Sequence, residues 1–339
     1  MNKKTIILLA SLILVIAVFF FLNKKNISTL KNKDNNFQFD NTNAISKVFL
    51  SNKKYPKNHV LLSKKNNQWL VNNEFEASDV KIEILLETLR KVRVKKPVSK
   101  NYLSFVLKDL AANGTKVEIY ENNSLSKVFY VGINSADEMG TYFYMEKGEE
   151  PYICHIPGFQ GFLNSRFLTD VNAWRSLNIF ACKEENIKEI EVQWTDVPKN
   201  SFKINNSGNA PEISQNGKVL ENNKAINLNK LKSYLKLWEN LSFEGFPINL
   251  KSKDIDSIYK TQAFLTLILI EKTGKTTSLK VHRKGIFEDT NILFDKEGNP
   301  LTYDIENFYG FINNNNKEVV QIQDFVFGKV MKTIHDFKL

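Results

Sequence analysis

Any chemistry this chain performs would have to start from four histidines, two cysteines and one short glycine–lysine segment. His59, His155, His282 and His335 are scattered, and none falls at HExxH or HxH spacing. Cys154 and Cys182 are the only cysteines, too far apart for a metal-ligand pair. His155 adjoins Cys154, but adjacent residues of a strand point to opposite faces, so the two are poor joint ligands. Strand residues with local hydrogen bonds are the expectation for the histidines. The cysteines could pair in an oxidising compartment. Neither has a counterpart in the second half of the chain, where Tyr303 stands nearest to the place of Cys154, so two buried free thiols are expected.

Thr273-Gly274-Lys275-Thr276 carries the end of a phosphate-binding loop, but that loop needs a glycine five positions before Gly274, and Leu269 stands there. The run from Thr276 through Thr277-Ser278-Leu279-Lys280 to Val281 is β-branched and alternating, so a hairpin turn is predicted before it. Asp295-Lys296-Glu297-Gly298-Asn299-Pro300 lacks the alternating oxygen ligands and distal glutamate of a calcium loop and is also read as a turn. No nucleophile elbow, glycine-rich dinucleotide turn or paired-carboxylate motif is present. The expectation is no catalytic, cofactor-binding or metal-binding residue, no cofactor, and a protein that is not an enzyme. The aromatic run from Tyr152 to Phe159 could line a peptide groove; core packing is the reading preferred here.

The elements that would position these residues come in two sets. Ile82, Leu85, Leu86, Leu89 and Val92 form an apolar helical stripe, and Leu231, Tyr234, Leu235, Trp238 and Leu241 repeat its spacing 149 positions later. Pro151, Ile156, Phe159, Gly161, Phe162 and Asn164 reappear at the same offset as Pro300, Ile305, Phe308, Gly310, Phe311 and Asn313. Pro56-Lys57-Asn58 matches Pro198-Lys199-Asn200 at an offset of 142. Short β-branched runs flank each helix and are broken by Asn, Gly and Ser, the pattern of hairpin strands. The predicted fold is α+β: two tandem repeated units, each an antiparallel sheet with one main amphipathic helix, preceded by a single N-terminal transmembrane helix. The expected boundaries are 1–33 for an anchor and basic flank, 34–44 for a linker, 45–186 for the first unit, and 187–339 for the second unit with a C-terminal tail.

Hydrophobic content of 42% with 25 phenylalanines supports packed cores. Thr5 to Leu22 is apolar except for Thr5 and Ser11, and as a helix it would reach ~27 Å, close to a hydrocarbon core. Phe19-Phe20-Phe21-Leu22 occupies the place where a signal peptidase needs small residues, so an uncleaved anchor in membrane lipid is expected. Lys24, Lys25, Lys31 and Lys33 after the run outnumber Lys3 and Lys4 before it, which by lysine count alone would keep the bulk in the cytoplasm. Long domains translocate largely regardless of such charges, so an extracytoplasmic body on the inner membrane is preferred. The net charge of +10 includes six lysines and no acid within residues 1–33, which leaves 41 basic against 37 acidic residues for the rest. The excess sits beside the membrane, so no nucleic-acid partner is expected. The cluster Arg90, Lys91, Arg93, Lys95 and Lys96 is read as a solvated helix end.

Gln68-Trp69-Leu70-Val71-Asn72, then the helix, a Tyr-rich strand, Ile156-Pro157-Gly158-Phe159, Asp170-(x)3-Trp174-Arg175 and Ile187-Lys188-x-Ile190 together resemble the bacterial family called domain of unknown function 4340, over roughly residues 45–330. The resemblance implies an anchored envelope protein, with related segments in auxiliary subunits of gliding-motility-type ABC transporters. It implies no catalytic residue. Glu306-Asn307 stands where the first half has Pro157-Gly158, a departure that concerns the local turn. The function expected is binding or scaffolding, with a protein partner such as an ABC-type transporter. The alternatives are an envelope enzyme with a site between the units and a cytoplasm-facing transporter accessory.

Overall fold

The computed structural model describes residues 34–138, 140–220, 226–248, 250–285, 294 and 298–339. The expected anchor at 5–22 lies outside the described residues. Among those described, no helix is long and apolar enough to cross a membrane. The chain divides into two compact units, Met1–Ser176 and Leu177–Leu339, each built on one large antiparallel sheet.

The first unit runs β1 (Ile45–Asn52), β2 (His59–Lys65), β3 (Gln68–Val71), β4 (Phe75–Glu76), α1 (Asp79–Lys91), β5 (Arg93–Pro97), α2 (Lys100–Asn113), β6 (Thr115–Glu121), β7 (Ser124–Asn134), β8 (Thr141–Met145) and β9 (Tyr152–His155). Its strand order is β4-β3-β2-β1-β6-β7-β8-β9-β5. Two meanders are thus joined by the long-range pair β1–β6, in which Val48 lies opposite Ile119 and Leu50 opposite Val117. Asn-Asn pairs turn the hairpins: Asn66-Asn67 and Asn122-Asn123 all have positive φ, the conformation of the tight turns that match strand twist. Alternation then sends Val48, Leu50, Val117, Ile119, Phe129, Val131 and Phe143 to one face, where Ile82, Leu85 and Leu89 of α1 cover them. Each such buried side chain contributes ~1.5–3 kcal/mol.

The second unit runs β10 (Asn178–Phe180), β11 (Ile187–Trp194), β12 (Phe202–Asn205), β13 (Glu212–Gln215), β14 (Lys218–Val219), α3 (Leu228–Lys236), β15 (Leu241–Ser242), α4 (Ser252–Lys260), β16 (Leu265–Glu271), β17 (Thr276–Gly285), β18 (Tyr303–Ile312), β19 (Val320–Gln323) and α5 (Asp324–Phe327). Its sheet order, β14-β13-β12-β11-β16-β17-β18-β19, follows the first strand for strand. Gly245 bridges to Gln321 of β19, so the segment after α3 takes the far edge as β5 does. The two predicted helical stripes hold the same place: Leu231, Tyr234, Leu235 and Trp238 cover the core face.

Four expectations need correction. The six identities at offset 149 are not equivalent in space: Tyr152–His155 is β9, whereas Tyr303–Ile312 is β18, which holds the place of β8. The connection from β17 to β18 is longer than that from β7 to β8, so an offset of 150 at Val117 and Leu267 becomes 167 at Phe143 and Gly310. Each unit has a second helix, on the other face of its sheet. Val106 and Leu110 of α2 pack on Tyr142 and Ile153, and Ile255, Ile258 and Tyr259 of α4 pack on Tyr309 and Phe311. Gly132 permits the close approach of α2: a Cβ there would meet Leu110 Cδ2 at 2.9 Å. Residues 177–186 belong with the second unit, because Ile179, Phe180 and Cys182 lie in its core.

The stretch 34–44 is not a free linker. Phe37 and Phe39 are buried in the first core, and Phe37 meets Phe143 and Phe129 edge-on at 5.3 and 5.7 Å. The Lys127 ammonium donates to the carbonyls of Asn36 and Gln38 and sits 4.3 Å over the Phe39 ring. This strap generates a test. Phe37→Ala is expected to destabilise the first unit by about 3–5 kcal/mol, read as a lower denaturation midpoint. Losses under 1 kcal/mol would show that the strap is passive.

Candidate functional site

Most residues singled out in the sequence are structural. Cys154 and Cys182 are free, buried thiols; burial alone pushes Cys154 well above the ordinary thiol range. His59 opens β2 at the surface, and His335 is exposed. His155 closes β9 opposite Arg93, its pKa lowered by burial and by Lys95. Gly274-Lys275 lies in the turn of the β16–β17 hairpin, where Gly274 adopts φ +90° and its N–H donates to the Glu271 carbonyl. Asp295–Glu297 fall outside the described residues. Tyr152, Cys154 and Ile156 of the aromatic run are core, while Phe159 is partly exposed beneath the Arg166 guanidinium. The basic cluster straddles the end of α1 and the edge strand β5, where Lys91 pairs with Glu87 and Lys96 with Asp137. Lysines on an edge strand discourage pairing with another chain. Among the described residues no cluster of three or more His, Cys, Asp or Glu could hold a metal.

His282, in β17 under α4, is the one histidine in an unusual setting. Its Nδ1 lies 2.9 Å from Thr261 Oγ1. The Thr261 hydroxyl donates to the Ile258 carbonyl, so it accepts from Nδ1–H, and Nε2 is left as a bare acceptor. Burial, with Lys280 adding to it, pushes the pKa down to about 4. The ring packs edge-on against Phe311 at 5.2 Å, under the helix. The imidazole is therefore neutral and enclosed, a packing residue rather than an exposed base.

An open groove of about 530 Å³ lies in the second unit, between the start of α3 and the C-terminal segment. The partly buried Leu237 and the nearly inaccessible Tyr234 and Phe337 close its inner side. Tyr234 is fixed by donating to the Val330 carbonyl at 2.7 Å and by edge-on contact with Phe337 at 5.1 Å. Lys230, Lys329 and Lys332 stand at the rim. The one acid, Asp336, is engaged elsewhere: it accepts from the backbone N–H and hydroxyl of Thr333. Burial opposes its ionisation, but those bonds, with Lys332 and Lys230, outweigh burial and hold the carboxyl below its ordinary range. The Asn227 side chain already caps α3 by accepting from the N–H groups of Asn229 and Lys230. The groove thus offers ammonium charge along both elements that border it.

In the first unit, Arg166 precedes the buried Phe167 as Asp336 precedes Phe337. There the Arg166 guanidinium reaches Thr88 Oγ1 on α1 at 2.8 Å. In the second unit α3 is joined to the C-terminal segment by other bonds: Tyr234 donates to the Val330 carbonyl and the Lys230 ammonium to the Lys338 carbonyl. Lys329, Lys332 and Asp336 fall in a stretch that reads as a mere tail in the sequence. The spacing of Val330, Ile334 and Phe337, apolar at i, i+4 and i+7, was the available signal that this tail packs.

His282 supplies a pH test. Its folded-state pKa lies below the unfolded value, so the unfolded chain takes up the proton first as pH falls. Stability is full above the ordinary value of 6.5 and is lost as pH falls from there to about 4. The slope is about 1.4 kcal/mol per pH unit. Between pH 7 and pH 5, amide-exchange protection of β17 is expected to fall by about 2 kcal/mol more in the wild type than in His282→Leu. Equal losses would contradict the assignment.

No curated protein and no solved structure matches the chain. The model of the family described as "Domain of unknown function (DUF4340)" matches residues 69–260, from β3 of the first unit through α4 of the second. That span is narrower than the 45–330 expected from the motifs, yet it covers more than half of the chain, and the chain belongs to this family.

Proposed function

We propose that this chain is a membrane-anchored, non-catalytic envelope protein that works by binding or scaffolding, as an accessory of an ABC-type transporter or of a gliding or secretion system. The observation that carries the reading is the groove beside α3: ammonium groups are displayed there without a nucleophile held by a base. The apolar run from Thr5 to Leu22 supports the anchor, and the buried Phe37 supports a tether that begins close to the folded body. In this reading the body lies outside the inner membrane, and the shared strand order of the units reflects duplication of one ancestral unit. A cytoplasm-facing accessory is the second reading, favoured by the four lysines that follow the apolar run against two before it.

A reporter fused after Leu339 separates the two. Alkaline phosphatase is expected to be active there and green fluorescent protein dark; the reverse would place the body in the cytoplasm. Deleting residues 1–33 is expected to move the protein from the membrane to the soluble fraction. A deleted chain that still sediments with membranes would count against the anchor.

A further inference from the structure

We propose that the groove between α3 and the C-terminal segment docks an extended acidic peptide of a protein partner, its carboxylates met by Lys230, Lys329 and Lys332. The inference rests on the binding reading above and names the chemistry of the partner. Two observations carry it.

First, the charges are complementary to carboxylates set along a chain. Lys230 projects from α3, and Lys329 and Lys332 project from the tail, so cations stand on both elements that border the groove. Lys230 makes a 3.4 Å contact with the Lys338 carbonyl, and Asp336, held by Thr333, does not bridge the rim. Lysines are compact point charges that suit dispersed single carboxylates; a compact phosphate is better clasped by a planar arginine fork. Second, the groove is of ligand size, and its inner side is held rigid by the bond from Tyr234 to the Val330 carbonyl, so the lysines stand on fixed elements. Asn227 and Asn229 at the end of the groove add carboxamides that can meet peptide backbone groups.

The test uses the full chain in nanodiscs of neutral phosphatidylcholine. The probe is a fluorescein-labelled decapeptide of alternating glutamate and leucine, followed by anisotropy. Saturable binding is expected, weakening with salt as surface charges are screened. Combining Lys230→Glu, Lys329→Glu and Lys332→Glu is expected to weaken it at least tenfold. Ser233→Phe, which keeps every lysine and narrows the groove, is expected to weaken it about tenfold, and Lys95→Glu with Lys96→Glu in the first unit to leave it unchanged. The matching glutamine–leucine peptide should bind at least tenfold more weakly. Three results would overturn the proposal: no saturable binding, equal loss from the Lys95/Lys96 pair, or no effect of Ser233→Phe. A fourth is displacement of the probe by monomeric dihexanoyl phosphatidylglycerol at lower concentration than by unlabelled peptide, which would make the occupant a lipid. Failure here leaves the anchored, non-catalytic reading standing, because that reading is tested by the reporter and by fractionation.

Discussion

Each unit depends on one non-local strand pair at its centre. Ile45–Asn52 must find Thr115–Glu121 in the first, and Ile187–Trp194 must find Leu265–Glu271 in the second. Apart from the edge pair β5–β9, the other main-sheet pairs join neighbours in sequence, and most are closed by short turns at small entropic cost. The central pair closes a loop that holds two α-helices and four strands. Its order is lost unless the strands bury enough apolar surface on meeting. Val48, Leu50, Val117 and Ile119 supply that in one unit, and Ile190, Val192, Leu267 and Leu269 in the other; all are essentially inaccessible to water. The bulge after Ile45 recurs after Ile187, so the register at the sheet centre is set in the same way twice.

Once the centre is fixed, the two faces of each sheet diverge. One face takes the first amphipathic helix, α1 or α3, and becomes the core. The other is only partly covered by the second helix, and the remainder carries ion pairs along and across strands. Lys116 lies 2.9 Å from Glu118 and 3.6 Å from Glu146, and Lys203 lies 3.0 Å from Glu189 and 3.4 Å from Glu191. The Glu118 hydrogen bond raises Lys116, and the Glu189 hydrogen bond raises Lys203, above the ordinary lysine range. Such exposed pairs add little stability each, but they keep a wide sheet face soluble.

The features legible in the sequence were those that repeat locally. The stripes at Ile82–Val92 and Leu231–Leu241 lie on equivalent helices, because a core helix must keep its 3.6-residue period whatever else changes. The hairpin at Gly274-Lys275 was readable from the strand after it. The Pro/Phe/Gly identities misled because identity at a fixed offset ignores insertions; the longer β17–β18 connection slid β18 into register with β9. The second helix was missed because α2 buries only Val106 and Leu110 and leaves Tyr102 and Phe105 half exposed, so its stripe is thin. The strap at Phe37 and the groove were illegible for a different reason. Both are made by contacts across the fold, Lys127 reaching Gln38 and Tyr234 reaching Val330; the spacing of Val330, Ile334 and Phe337 signals that the tail packs but not against what.

The chain is therefore two sheets of one order, each held at its centre, with the groove displayed at the margin of the second. Residue-resolved hydrogen exchange on the full chain tests the central hold most directly, since protection follows the free energy of the opening that exposes each amide. The slowest amides are expected in β1 with β6 and in β11 with β16, exchanging as two separate blocks, while β4, β5 and β14 at the edges exchange fastest among strands. Slowest exchange in the helices or the edge strands, or protection spread evenly along both meanders, would contradict it.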